Sequence, residues 1–189
     1  MADVVTKKLV LTQPAAHFNL LGVDGTRWDL NRCRGAMGML MIFVANQCPH
    51  VKEVRSKLIS EIEQLKAMGI GTVAINSNDP SRSPEDSYPF MRTIAKQYNF
   101  DFPYLVDDQQ IVAKAYGASC TPELFGFNAN MELQYHGRLG YSKESSKDFS
   151  QDSEMLIAMR QVALSGIGPS QQFPSSGSAI KWANELKMI

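Results

Sequence analysis

The residues of this 189-residue chain best suited to chemistry are its three cysteines, Cys33, Cys48 and Cys120. Cys48 is followed by Pro49 and preceded by Met37–Val44, a mostly apolar run. That run has strand length and no helical gap pattern, so it reads as a strand buried on both faces. Ala45-Asn46-Gln47 then turn the chain, and Pro49 suits the first turn of a helix, where its missing N–H costs nothing. Cys48 is therefore expected at a helix N-cap, with free backbone N–H groups and the positive end of the helix dipole facing its sulfur. Such a placement stabilises a thiolate. The chemistry predicted is that of a redox-active or otherwise nucleophilic cysteine at a strand-to-helix turn.

Cys120 lies in Tyr116-Gly-Ala-Ser-Cys120-Thr121-Pro122. A proline just before a strand cannot donate to the ladder, and a cis Thr–Pro bond there would turn the loop sharply toward a neighbouring site. Cys120 is thus a candidate second thiol, although a free cysteine is equally at home as a small core residue. Cys33 reads as a packing residue of that kind. Three cysteines without tight paired spacing make neither a disulfide framework nor a good zinc set. Gly-x-Gly-x-x-Gly, P-loop and paired C-x-x-C patterns are absent from the sequence, so no cofactor or metal is expected and the electrons must come from thiols.

Composition narrows the class further. The 19 basic and 19 acidic residues cancel, which removes the electrostatic case for nucleic acid or an anionic membrane as partner. Hydrophobic residues at 44% and charged residues at 20% argue against disorder. The N-terminus carries Asp3 and lacks a sustained apolar region, and no apolar run approaches the roughly 18 residues of a membrane helix. The expectation is a cytoplasmic protein of one domain, residues 1–189, with residues 167–189 as a C-terminal tail.

The elements that must position the cysteines follow from pattern. Asp24-Gly25 between short apolar runs predicts an N-terminal β-hairpin, and Asp29–Gly35 a short helical turn or loop. Val51, Val54, Leu58, Ile62 and Leu65 form the core stripe of a helix from about Pro49 to Met68, ended by Gly69. Ile70–Ile75 is a second buried strand, followed by a polar loop, Asn76–Arg82. Ser83-Pro-Glu-Asp reads as a cap, with Pro at the first helical position and acids in the first turn of a helix carrying Met91, Ile94, Ala95 and Tyr98, where Pro89 is the one interruption. Pro103–Asp107 is a short strand and Gln109–Tyr116 a short helix closed by Gly117. Glu123–Phe127 and Met131–His136 form a hairpin around Asn128-Ala-Asn130, Lys143–Ser153 is a polar loop, and Met155, Met159, Val162 and Ala163 mark a last helix ended at Gly166. Parallel crossovers followed by an antiparallel hairpin make an α/β sandwich with a central mixed sheet.

Other polar residues have both a chemical and a plain reading. His50, in the first helical turn, could tune or shuttle a proton for Cys48, or simply be solvated. His17 and His136 read as structural, and Lys52 and Arg55 as the wet face of the helix. Arg138 could meet a substrate or end a surface strand. Asn78 and Asp79 could line a pocket or cap their loop. Trp28 and Trp182 read as packing residues, with Trp182 able to cover the site if the tail folds back.

Taken together, a buried strand ending in a Cys-opened helix and a Thr-Pro before a β-hairpin resemble the thioredoxin fold. The chain is similar over nearly its full length to the alkyl hydroperoxide reductase and thiol-specific antioxidant (AhpC/TSA, redoxin) family. The matching pieces are Pro14–Leu20 with Asp24-Gly25, Asn46–Val51, Asn76–Asp79, Pro84–Asp86, Tyr116–Pro122 and Ile180-Lys181-Trp182. The resemblance implies a thioredoxin-like three-layer sandwich with an N-terminal hairpin and a C-terminal extension. It also implies that Cys48 is the redox cysteine and Pro122 a cis-proline beside it, with Pro49, His50, Thr121 and Pro122 meeting the substrate. Relatives often pair the cysteine as C-x-x-C, where this chain has Ala45, and carry another cysteine before Ile-Lys-Trp, where it has Gly177-Ser178-Ala179. Cys120 is then the resolving candidate within one molecule; otherwise an external thiol, glutathione or a partner protein, must serve. Ala45 also stands where peroxiredoxins set a Thr or Ser. The expected activity is thiol-disulfide oxidoreduction on a thiol or disulfide substrate. The alternatives are a one-cysteine peroxidase with an external reductant and a non-enzymatic thioredoxin-fold binding module.

Overall fold

The computed structural model describes residues 3–7, 9–140 and 151–183. In chain order the elements are β1 (Asp3–Val5), β2 (Asn19–Gly22), β3 (Arg27–Asp29), α1 (Leu30–Cys33), β4 (Gly38–Phe43) and α2 (Pro49–Ala67). There follow β5 (Ile70–Asn76), a 3₁₀ turn (Pro84–Asp86), α3 (Tyr88–Gln97), β6 (Tyr104–Val106), α4 (Ile111–Tyr116) and β7 (Cys120–Thr121). The chain ends with β8 (Glu123–Asn128), β9 (Leu133–Gly137), α5 (Glu154–Ser165) and β10 (Ser176–Ala179).

Strands β3-β2-β6-β5 lie side by side, as do β4-β8-β9. The Val44 N–H donates to the Ile75 carbonyl at 2.9 Å and so joins the β4 segment to β5. β5 and β6 are parallel whereas β2–β3, β2–β6, β4–β8 and β8–β9 are antiparallel, so the sheet is mixed. Its centre is β4, which is wholly buried. Leu40 and Ile42 face a core shared with Leu58, Ile62 and Leu65 of α2, Met91 of α3 and Met155 and Met159 of α5. Met39, Met41 and Phe43 face the opposite core, with Leu30 and Cys33 of α1, Val112 and Tyr116 of α4, and Phe125 and Phe127 of β8. Helices on both faces explain why this strand shows no polar alternation. Burial stabilises by roughly 1.5–3 kcal/mol per large apolar side chain, which makes β4 the rigid base from which the Cys48 turn leaves.

The N-terminal hairpin, α2, the β8–β9 hairpin and α5 form as their patterns predict. The helix expected to start at Ser83 does not. Pro84–Asp86 make only a 3₁₀ turn, and α3 begins afresh after its N-cap, Ser87. The reason is Asp86: its buried carboxylate is engaged by Asn46, Asn76, Asn78 and Ser83, so the chain turns inward there rather than continuing as a helix. Pro89 sits within the first two positions of α3, where a missing N–H is tolerated. Arg55 also departs from expectation. It is buried at 6% exposure instead of wetting the face of α2, because its guanidinium donates to the Asn46 carbonyl at 3.1 Å and lies 4.3 Å from the centre of the Tyr98 ring. Lys52 is exposed as expected. The polar stretch Lys143–Ser153 lies mostly outside the described residues; Ser153 caps α5 by accepting from the Leu156 N–H at 3.0 Å.

The C-terminal segment contributes an element that its composition does not announce. β10 lies antiparallel between β1 and β7 in a small separate sheet, with Ser178 opposite Thr121 and Ala179 opposite Cys120. Gly177 makes this approach possible, since a Cβ there would stand 2.2 Å from the Thr121 carbonyl oxygen.

Candidate active site

Cys48 is the N-cap of α2, with extended backbone angles (φ −60°, ψ 120°) and Pro49 in the first helical turn. Its sulfur does not turn to the helix N–H groups as predicted. Two closer oxygens claim it: the thiol donates to the Thr121 carbonyl at 3.0 Å, and Ser178 Oγ lies 3.4 Å away. The residue is 2% exposed, covered by the C-terminal strand β10. Thr121–Pro122 is a cis peptide, and Cys48 thus packs against the turn between β7 and β8.

The turn before Cys48 is held from below by a buried polar network. Asp86 Oδ1 accepts from the Asn46 N–H at 2.6 Å and from Asn76 Nδ2 at 2.8 Å, while Oδ2 accepts from Asn78 Nδ2 at 2.8 Å and the Ser83 hydroxyl at 2.7 Å. The Tyr104 hydroxyl donates to Asn46 Oδ1 at 2.9 Å, and burial pushes its own ionisation well above the usual phenol range. Asn46 is thereby fixed through its backbone N–H, its side-chain oxygen and its carbonyl, which Arg55 engages. This is why a three-residue turn can present Cys48 in one orientation.

Cys120 is fully buried. Its sulfur approaches Glu123 Oε2 at 3.8 Å and the Pro122 carbonyl at 4.0 Å. Burial above all, then the Glu123 carboxylate and then Cys48, push its thiol well above the usual cysteine range. Glu123 itself is enclosed completely: Oε2 accepts from the Ser119 and Cys120 N–H groups at 2.8 and 3.2 Å, and Oε1 pairs with His136 Nε2 at 2.7 Å. Cys33 is buried at the end of α1, in the core on the opposite face of the sheet from Cys48, and burial with the Asp29 charge pushes its thiol up to about 12. All three cysteines are free thiols.

The remaining predicted residues fall as follows. His50 leaves Cys48 aside and pairs with Asp3 of β1, Nε2 to Oδ1 at 3.0 Å. His17 is exposed, whereas His136 is the buried partner of Glu123 and packs 4.6 Å from the Phe125 ring. Arg138 makes a two-pronged ion pair with Glu154, each arm 3.0 Å. Asp79 caps its own loop through Ser81, while Asn78 Oδ1 accepts from the Lys181 N–H at 2.8 Å and so ties the C-terminal segment to the site. Trp182 packs with the core on the α4 side, its carbonyl accepting from Arg82 at 2.8 Å. Among the described residues no cluster of three or more His, Cys, Asp or Glu could hold a metal ion, and no helix is long and apolar enough to cross a membrane.

Pattern reading missed Asp86, Glu123 and Ser178. Glu123 carried a usable signal, because a lone carboxylate in the apolar strand ELFGFN demands a buried partner, and His136 stands on the neighbouring strand. Ser178 carried a signal only through the resemblance, since relatives set a cysteine in the segment that here reads Gly177-Ser178-Ala179.

A mixed sheet between two helical layers, with a cysteine opening a helix beside a cis-proline, defines a thioredoxin-like protein. The family model described as AhpC/TSA family matches residues 11–136, and the chain belongs to that family. A crystal structure of an uncharacterized conserved protein from Geobacillus kaustophilus is 33% identical, covers 98% of both chains and superposes with a TM-score of 0.91. A hypothetical protein from Sinorhizobium meliloti is 32% identical over 96% of this chain and 99% of its own, TM-score 0.87. A thiol:disulfide interchange protein of the thioredoxin family from Chlorobium tepidum shares the fold at 16% identity, over 69% of this chain and 87% of its own, TM-score 0.56. None of the curated proteins compared with the chain matches it.

Proposed function

We propose that this protein is a thiol-disulfide oxidoreductase with Cys48 as nucleophile and Cys120 as resolving thiol. The reading rests on one observation: the Cys48 sulfur meets the carbonyl of Thr121, the residue bonded to Cys120 on one side and cis to Pro122 on the other. Cys48 as thiolate attacks a substrate disulfide, forming a Cys48–substrate S–S bond while the second substrate sulfur leaves with the electron pair. Cys120, its proton passing to the substrate thiolate already released, attacks Cys48, closing a Cys48–Cys120 disulfide and releasing the other substrate thiolate. Two electrons pass from the two protein thiols to the substrate, and two external thiols, from two glutathione molecules or a partner protein's thiol pair, restore them and leave as a disulfide. Thr121 and Pro122 form the wall the substrate meets, with Pro49 and His50 at the helix end. Three free thiols fit a reducing compartment such as the cytoplasm.

The test is the mass of the oxidised protein after thiol trapping. Loss of two trappable thiols, mapped to Cys48 and Cys120, supports the reading, together with loss of disulfide reduction in Cys48→Ser. Disulfide reduction that survives Cys48→Ser overturns it. A one-cysteine peroxidase is favoured by the 2% exposure of Cys48, which admits a small hydroperoxide more readily than a protein disulfide. Its signature is rapid, Cys48-dependent consumption of hydrogen peroxide, with one thiol lost as a sulfenic acid.

A further inference from the structure

We infer that Ser178, on the C-terminal strand β10, is a positioning residue for Cys48, its hydroxyl donating to the Cys48 sulfur; this rests on the reading of Cys48 as the nucleophile. The argument is one of proton count. The Cys48 sulfur carries one hydrogen and has two oxygen neighbours, the Thr121 carbonyl at 3.0 Å and Ser178 Oγ at 3.4 Å. A carbonyl only accepts, so it takes the S–H. The Ser178 hydroxyl must then supply the hydrogen of the second contact, and among the described residues it has no other hydrogen-bond partner. At 3% exposure it has little access to water as a substitute. When Cys48 loses its proton, the Thr121 bond is lost and the Ser178 bond becomes charge-assisted, hence stronger. The hydroxyl therefore favours the thiolate.

The donor is held in place from both sides. Upstream, the Ser175 carbonyl accepts from the Thr6 N–H at 3.0 Å, its N–H donates to the Thr6 hydroxyl oxygen at 3.0 Å and its hydroxyl donates to the Gly137 carbonyl at 2.5 Å. Downstream, the Ile180 N–H donates to the Ser119 carbonyl at 3.0 Å, and Lys181 is engaged by Asn78, Asp79 and Gln110. β1 and β7 clamp the strand between them. A segment clamped at both ends delivers its one central hydroxyl with little freedom, as a positioning group requires. Ala45, whose carbonyl accepts from the Cys48 N–H at 3.3 Å, has no hydroxyl to offer, so the side-chain hydroxyl beside the sulfur comes from the C-terminal strand.

The test is the pH dependence of iodoacetamide alkylation at Cys48, read by mass spectrometry in the full chain. Ser178→Ala should move the midpoint of the rate–pH curve up by about one unit and slow alkylation below it about tenfold, the effect of one lost hydrogen bond to a charged group. A structural role alone would change the melting temperature without moving that midpoint. Ser178→Cys supplies an independent reading: under mild oxidation Cys48 and the new thiol should bridge within one chain, the two lost thiols mapping to positions 48 and 178 with Cys120 still trappable. A Ser178→Ala curve that superimposes on wild type, or no bridge in Ser178→Cys, overturns the inference. If wild-type Cys48 itself alkylates no faster than a free thiol, it is the nucleophile reading that fails, and the bridge still reports whether residue 178 touches the sulfur.

Discussion

Replacing Asp86 by Asn tests whether the Cys48 turn is held by the network beneath it. The carboxylate is 3% exposed and receives four donors between 2.6 and 2.8 Å: the Asn46 N–H, Asn76 Nδ2, Asn78 Nδ2 and the Ser83 hydroxyl. An amide keeps one acceptor oxygen and turns an NH₂ toward one of the two donor pairs. The less costly orientation faces Asn78 and Ser83, because the Ser83 hydroxyl can rotate to accept, and it leaves Asn78 Nδ2 orphaned. An orphaned buried donor costs about 1–3 kcal/mol, and each bond that loses its charge assistance about 1 kcal/mol more. Relief from burying a charge offsets part of this, for a net loss of about 3 kcal/mol. For a chain of this length that corresponds to a fall of roughly 6–12 °C in melting temperature. Asn78 also holds Lys181, so β10 should loosen and Cys48 should alkylate faster in the folded variant. The assay pairs thermal melts followed by circular dichroism with the Cys48 alkylation rate below the melt. A variant that melts within 2 °C of wild type with an unchanged Cys48 rate would refute the reasoning.

Two further outcomes follow from the buried thiols and from Glu123. The Cys33 thiol is held up to about 12 in the folded protein against 9.0 in its absence, so an unfolded chain releases this proton first. Its contribution to stability is whole below about pH 9 and is lost as pH rises through about 12; Cys120, Tyr104, Tyr116 and Tyr135 are pushed the same way by burial. The urea midpoint should therefore fall between pH 8 and about pH 10.5, less steeply in Cys33→Ala, and a flat or rising midpoint contradicts the assignment. Glu123→Gln removes the charge that, after burial, most raises the Cys120 thiol. Labelling of Cys120 relative to Cys33 at about pH 10 should rise several-fold, roughly what a fraction of a pKa unit gives, and an unchanged ratio would show that the carboxylate does not act on that sulfur.

How far the molecule can be read from its residues depends on what holds each part. β4 is legible because burial on two faces leaves an unbroken apolar run, and α2 because Leu58, Ile62 and Leu65 recur on one stripe. Arg55 stands four residues after Val51 and three before Leu58, on that stripe, yet its charge reads as solvent-facing. Position was the better guide than polarity there, since the Asn46 carbonyl and the Tyr98 ring satisfy a buried guanidinium that no local pattern can foresee. Asp86 fails in the opposite sense: Ser-Pro-Glu-Asp is a sound local cap signal, and long-range partners override it.

The site itself is the least local part of the fold. Cys48 meets the Thr121 carbonyl 73 residues downstream and the Ser178 hydroxyl 130 residues downstream. The Thr121 contact is legible through Pro122, since a cis-proline before a strand is a feature of residue type. The Ser178 contact is carried by backbone pairing of Ser176–Ala179, a segment with neither apolar alternation nor a turn signal, admitted only because Gly177 lacks a Cβ against Thr121. A glycine and two serines in a polar segment give composition nothing to count, and what they do is decided by the element they lie against. The surroundings of the Cys48 sulfur are for the same reason shared between the helix that carries it and the strand that closes over it: Pro49 sets where the sulfur begins, and Thr121 and Ser178 set what it meets.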